Sequence, residues 1–123
     1  MAITPVKLTE KAAQAWSIDT TGTIATGDAS AETVGTKMFQ LYTNGATISF
    51  KFQGLLGGAE ELSMDWQDLA YQNMTSGADV AGTTAVTANG IYAVRCDAGM
   101  KVRANVSACS GGTAYLLERR GRG

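Results

Sequence analysis

Apolar and polar residues alternate most clearly in the second quarter of the chain. Residues 37–42 and 46–53 each place their large apolar side chains on one face with a period of two, as expected of half-buried strands. Asn44-Gly45 lies between the two segments, and this dipeptide is the strongest short-range signal for a two-residue hairpin turn. We therefore predict an antiparallel hairpin formed by these two strands.

The same alternation recurs further along the chain. Residues 62–66, 91–96 and 100–108 repeat it, and residues 113–118 form another short strand-like segment. Seven to nine short strands with turns about every 8–12 residues are typical of an all-β sandwich or barrel, and no helical pattern recurs between them. We predict an all-β, antiparallel β-sandwich. The residues expected to lie between its two sheets are Phe50, Phe52, Trp66, Tyr92, Val94, Val102 and Val106.

The two ends of the chain depart from this pattern. Residues 1–16 are expected to form an N-terminal arm or a short helix with Thr9 as its N-cap, and a first edge strand is the alternative. The sandwich domain is expected over residues 17–118, followed by a basic tail over residues 119–123. The side chains that we expect to bind a partner are Ile3, Val6, Leu8, Trp16, Arg119, Arg120 and Arg122.

Composition narrows the function classes. The 123 residues are 45% hydrophobic and 17% charged with a formal net charge of -1, which fits one globular domain. This balance excludes a general electrostatic attraction to nucleic acid or to an anionic membrane. No apolar run approaches the roughly 18 residues that span a bilayer, and no signal peptide is visible. We expect the chain to be made and kept in a cytoplasm.

The chemistry available to a catalytic site is limited. The chain has no histidine, the commonest general base and zinc ligand, and its two cysteines lack metal-site spacing. We favour free thiols at Cys96 and Cys109, although a disulfide between neighbouring strands stays open. We predict no enzyme, no cofactor and no metal. The densest acidic group is interpreted as a solvated face: Glu60, Glu61, Asp65 and Asp68.

Three aromatic residues leave an alternative open. Trp16, Trp66 and Tyr71 would suit a platform on which a sugar stacks, as in β-sandwich carbohydrate-binding modules. Trp66, however, lies in phase with Leu62 and Met64, which favours a position in the core.

The last third of the chain resembles a known class of proteins. Residues 87–94 (TANGIYAV), 99–104 (GMKVRA) and 110–114 (SGGTA) are similar to the closing strands of small virion proteins of tailed bacteriophages. Residues 46–66, with a strand ending in Phe-x-Gly and a later Trp, also fit. The likeness covers about residues 38–118.

This resemblance implies a β-sandwich of the jelly-roll type and a structural role in a virion. We expect a capsid cement, or decoration, protein on the outer surface of the phage head, made in the host cytoplasm. Its expected partners are the major capsid protein, whose subunits it would bridge, and further copies of itself in a dimer or trimer. The alternative is a carbohydrate-binding or adhesion module of a phage tail or head fibre.

Overall fold

The computed structural model describes residues 3–9, 13–28, 35–96 and 99–120. Over these ranges the chain forms eleven strands in two sheets, and every strand pair is antiparallel. The inward side chains of both sheets meet in one hydrophobic core. The prediction of an all-β, antiparallel sandwich is therefore confirmed.

The larger sheet, sheet A, has seven strands. They are β1 (Ile3–Val6), β2 (Ala13–Ile18), β4 (Gly35–Tyr42), β7 (Tyr71–Asn73), β8 (Ala78–Val80), β9 (Gly90–Cys96) and β11 (Ala114–Arg120). Their order across the sheet is β1-β2-β11-β4-β9-β7-β8.

Sheet B has four strands. They are β3 (Gly22–Asp28), β5 (Thr47–Leu56), β6 (Gln67–Asp68) and β10 (Met100–Ser110). Their order is β3-β10-β5-β6, and a single 3₁₀ turn, Ala59–Leu62, lies between β5 and β6.

The core confirms most of the predicted strand phases. Six of the seven residues predicted to lie between the sheets are buried, and the rings of Phe39 from sheet A and Phe52 from sheet B lie 4.8 Å apart. Along β10 the alternation holds as far as Val106, where the register with β5 shifts and leaves Ala108 exposed. The exception among the predicted core residues is Trp66, which is only half-buried.

The predicted hairpin of residues 37–42 and 46–53 is wrong in its pairing. The turn is present, with Asn44 and Gly45 at φ values of 50° and 83° and a 2.8 Å hydrogen bond from the Ala46 amide to the Thr43 carbonyl. The two strands nevertheless enter different sheets, β4 between β11 and β9, and β5 between β10 and β6. Alternation gives each strand one apolar face. That face is buried equally well whether the two strands are neighbours in one sheet or face each other across the sandwich.

The predicted strand at residues 62–66 is also wrong. After β5 the chain leaves the sheet, enters the 3₁₀ turn and returns to sheet B only at β6. Leu62 and Met64 are 71% and 57% exposed, although their spacing resembles that of a buried strand. Five residues are a short window, and periodicity over so few positions does not distinguish a strand from an irregular segment.

The helix considered for residues 9–16 is not found where the chain is described, and residues 10–12 lie outside the described ranges. Ala13 to Trp16 belong to β2, which pairs with β1 on one side and β11 on the other. The first element, β1, is an edge strand, as the alternative interpretation held. Pairing with strands on both sides stabilises this segment more than a helix of the same length would. A helix this short is only marginally stable on its own.

Candidate binding surfaces

An apolar groove opens where β5 leaves sheet B. It encloses about 510 Å³, and its lining includes Leu55, Leu56, Ala59, Met64, Leu69 and Met100. Gly54 in its floor allows this packing, because a Cβ atom there would lie 2.5 Å from Cε of Met100 and 3.0 Å from the Leu69 methyl groups. The groove therefore exists because β5 carries a glycine at the point where two side chains from other segments cross it.

The segment that forms one wall of the groove is tied to the sheet. Lys101 of β10 pairs with Glu60 in the 3₁₀ turn, and the Gly57 amide donates a 2.7 Å hydrogen bond to the Gly99 carbonyl. Glu61 of the turn and Asp65 of the groove lining are exposed, and within the described part of the chain no cation pairs with either. The apolar groove thus has an acidic rim.

A polar ladder runs from the groove across the outer face of sheet B. The Arg103 guanidinium lies 4.2 Å from the Trp66 ring centroid, and its Nε donates to the Gln53 side-chain oxygen at 2.9 Å. Gln53 in turn donates to Asp68 at 2.9 Å, and Asp68 pairs with Lys51 at 3.6 Å. Partial burial lowers the pKa of Arg103, because desolvation disfavours its charged form. This ladder explains why Trp66 lies on the surface: its ring covers an arginine.

A second exposed apolar surface lies on the outer face of sheet A, and we call it the tyrosine face. Tyr42 and Tyr115 are paired across β4 and β11, with ring centroids 6.3 Å apart and an interplanar angle of 16°. Tyr42 is 54% exposed, and its hydroxyl donates to the Asn44 side chain at 2.9 Å. The next row of the ladder completes the tyrosine face, with one residue from each of four strands: Ala15, Leu117, Gln40 and Ile91.

The tyrosine face has the composition of an interface centre. Neither of its two rows carries a charge, whereas Arg119 and Arg95 lie on the same side of sheet A, one or two rows further along. Aromatic and aliphatic side chains without charges at the centre, with arginine at the border, are typical of protein–protein contacts.

The described members of the predicted partner-binding set lie in different environments. Ile3 packs against the core, Val6 is half-buried and Leu8 is exposed just beyond β1. Trp16 is buried on the inner face of β2, opposite Leu116, and its contact with a partner stays a prediction.

Among the arginines of the tail, the structure describes the side chain of Arg119. Arg119 is an exposed residue of β11, on the same side of sheet A as the tyrosine face. Arg120 ends that strand, but its side chain lies outside the described part, as does Arg122.

The three aromatic residues considered for sugar binding are likewise not brought together. Tyr71 is buried beside the Phe52 and Tyr92 rings, and its hydroxyl donates to the Thr84 carbonyl at 3.0 Å. Trp16 lies in the core and Trp66 beside Arg103 on sheet B. The acidic group is also divided, since Glu60 and Asp68 pair with lysines while Glu61 and Asp65 remain exposed.

Sequence reasoning missed both surfaces. The groove depends on Leu62 and Met64 leaving the sheet, and the adjacent glycines at positions 57 and 58 were the only local signal of that departure. The tyrosine face was visible as the opposite face of two well-predicted strands, but an isolated exposed tyrosine is too common to mark a site.

Comparisons with protein-family models, with curated proteins and with solved structures give no match for this chain. Among the described residues, no group of three or more cysteine, aspartate or glutamate side chains is placed to hold a metal ion. The described chain also contains no helix that is long and apolar enough to cross a membrane.

Proposed function

We propose that this chain is a non-enzymatic structural protein of a tailed-phage virion, a cement protein that binds the outside of the head and bridges major capsid subunits. The observation that carries the proposal is the tyrosine face, an uncharged apolar surface spread over four strands of one sheet. A small sandwich that binds only the assembled lattice stabilises that lattice by mass action.

The strand order supports the resemblance found in the sequence. If the short strands β6, β7 and β8 are set aside, the strands from β2 onward alternate between the sheets: β2, β4, β9 and β11 lie in sheet A, and β3, β5 and β10 lie in sheet B. In sheet A the four neighbouring strands are β2-β11-β4-β9. In sheet B they are β3-β10-β5-β6, where the short strand β6 is the fourth. We propose that the sandwich is a jelly roll, since that architecture consists of eight strands in two sheets joined by Greek-key connections.

Bridging requires more than one contact surface. The tyrosine face and the groove beside sheet B lie on different sides of the domain, so both can be occupied at once. The tyrosine face would cover one capsid subunit, and the arginines near the end of the chain would pair with another.

The carbohydrate-binding alternative receives less support. Two members of its proposed platform lie in the core, and the one half-exposed member, Trp66, already stacks with Arg103. Aromatic platforms for sugars need an accessible ring face.

A binding assay with isolated phage particles tests the proposal. Tyr115→Asp places a charge in the centre of the tyrosine face, and we expect it to reduce the number of copies that cosediment with heads by at least about tenfold. The matched control is Thr47→Asp on the exposed side of β5, which should cosediment like the parent chain. Equal binding by the parent chain and Tyr115→Asp would remove the tyrosine face from the proposal.

A further inference from the structure

The chemistry of the apolar groove beside sheet B defines which segment would bind there. Its floor is aliphatic, with Leu55, Leu69 and Met100, and Leu56 and Met64 project at its mouth. Asp65 of its lining and Glu61 of the adjoining 3₁₀ turn carry exposed carboxylates. A complementary segment therefore carries a large apolar side chain next to a cation.

The chain itself exposes such a pair. Lys7 and Leu8 follow β1 directly, and both are exposed, although β1 is held in the sheet by its ladder with β2. Lysine followed by leucine matches the combination of an acidic rim and an aliphatic floor.

The pair and the groove lie in different parts of the sandwich. β1 lies over the β3 edge of sheet B, because Ile3 Cδ1 would be 3.0 Å from a Cβ atom at Gly22 of β3. The groove lies beside β5 and β6, with Met100 of β10 also in its lining.

In this structure a copy does not fill its own groove with this pair. Lys7 and Leu8 are not among the residues that line the groove, and Val6 is held in register opposite Ala15. A contact between these two unlike surfaces links copies head to tail, and it closes into a ring only when the rotation between copies allows.

We propose that the groove binds Lys7 and Leu8 of a second copy, with the leucine on the aliphatic floor and the lysine beside Glu61 and Asp65. This contact joins the copies head to tail. The inference is independent of the virion role, since it concerns the purified protein alone.

Sedimentation of the purified chain over a range of concentrations tests the inference. The parent chain should self-associate, and Leu8→Asp and Met64→Asp should each weaken the association at least about tenfold. Met74→Asp is the matched control, because Met74 is also an exposed methionine but lies in the β7–β8 turn. All three variants alter exposed side chains, and circular dichroism checks that each still folds.

Charge exchange and cross-linking test the pairing itself. Lys7→Glu and Asp65→Lys should each weaken self-association, and the double variant should recover most of it. In a Cys109→Ser background, Leu8→Cys mixed with Met64→Cys should form a disulfide between copies under mild oxidation, and Leu8→Cys mixed with Met74→Cys should not. A monomer at all concentrations would overturn the inference without touching the virion proposal, and so would an oligomer that Leu8→Asp and Met64→Asp leave unchanged.

Discussion

The Nζ atom of Lys37 lies 3.3 Å from Oε2 of Glu118, and the two side chains are 2% and 1% exposed. Lys37 shares the inward face of β4 with Phe39, and Glu118 shares that of β11 with Leu116, so an ion pair occupies positions whose pattern calls for apolar residues. Removing one partner leaves the other charge buried, which typically costs about 3–5 kcal/mol, whereas replacing both with apolar residues is often neutral or stabilising.

We therefore predict that Lys37→Met and Glu118→Leu each lower the free energy of unfolding by about 3–5 kcal/mol. The double variant should be at least as stable as the parent chain. Urea unfolding of the four proteins measures both effects. Single variants within about 0.5 kcal/mol of the parent chain would contradict the buried position of the pair.

Phe50 tests the phase of β5. The side chain is fully buried, and its ring meets the Phe52 ring edge to face at 5.2 Å. Phe50→Ala should reduce the free energy of unfolding by about 3–5 kcal/mol, because it removes a large apolar group and leaves a cavity. Ser49→Ala, on the neighbouring half-buried position, is the control and should change stability far less. An unchanged melting temperature for Phe50→Ala would mean that the strand phase is wrong.

Gly54 tests the geometry of the groove. Gly54→Ala should destabilise the chain by about 1–3 kcal/mol, since the new methyl group meets Met100 and Leu69 in a packed region. Adding Met100→Ala removes the closest atom and should recover part of the loss. Thermal unfolding of both single variants and of the double variant measures the losses of stability. If the loss in the double variant equals the sum of the two single losses, Gly54 and Met100 do not meet.

The buried tyrosines make the stability of the fold depend on pH. Desolvation raises the pKa of both Tyr71 and Tyr92 above the ordinary value, and Coulombic interaction with Tyr92 raises that of Tyr71 further. The folded state therefore holds these protons more tightly than the unfolded state, and stability is full below pH 10 and declines as the pH rises above it.

Tyr92→Phe removes one of these phenols and loses its 2.6 Å hydrogen bond to the Ala88 carbonyl. This variant should be less stable than the parent chain at neutral pH, but its stability should fall less steeply above pH 10. Unfolding curves at several alkaline pH values measure the slope. A slope identical to that of the parent chain would show that Tyr92 ionises equally easily in the folded and unfolded states.

The sequence determined strand phase far better than strand partners. Phe50, Phe52 and Val102 alternate with polar neighbours, and each faces the core as expected. The Asn44-Gly45 turn was equally visible, but a tight turn fixes a reversal of direction and not whether the next strand joins the same sheet. That choice depends on which strands distant in the chain lie alongside, a property that no local pattern contains.

The surfaces were harder to predict for the same reason. Leu62 and Met64 have a strand-like spacing but are exposed, while Lys37 and Glu118 are charged but buried. In both cases the tertiary environment gives the residue the opposite burial from the one its type predicts. That environment is set by residues far along the chain, such as Met100 for the groove.

The central claim is that the chain covers the outside of a phage head through its tyrosine face. A cryo-electron microscopy map of the phage particle that carries this protein tests it most directly. The account predicts hundreds of copies in symmetric positions on the outer surface of the head, with Tyr42 and Tyr115 against a major capsid subunit. Copies confined to the tail or a fibre, or copies on the head with both tyrosines facing solvent, would contradict it.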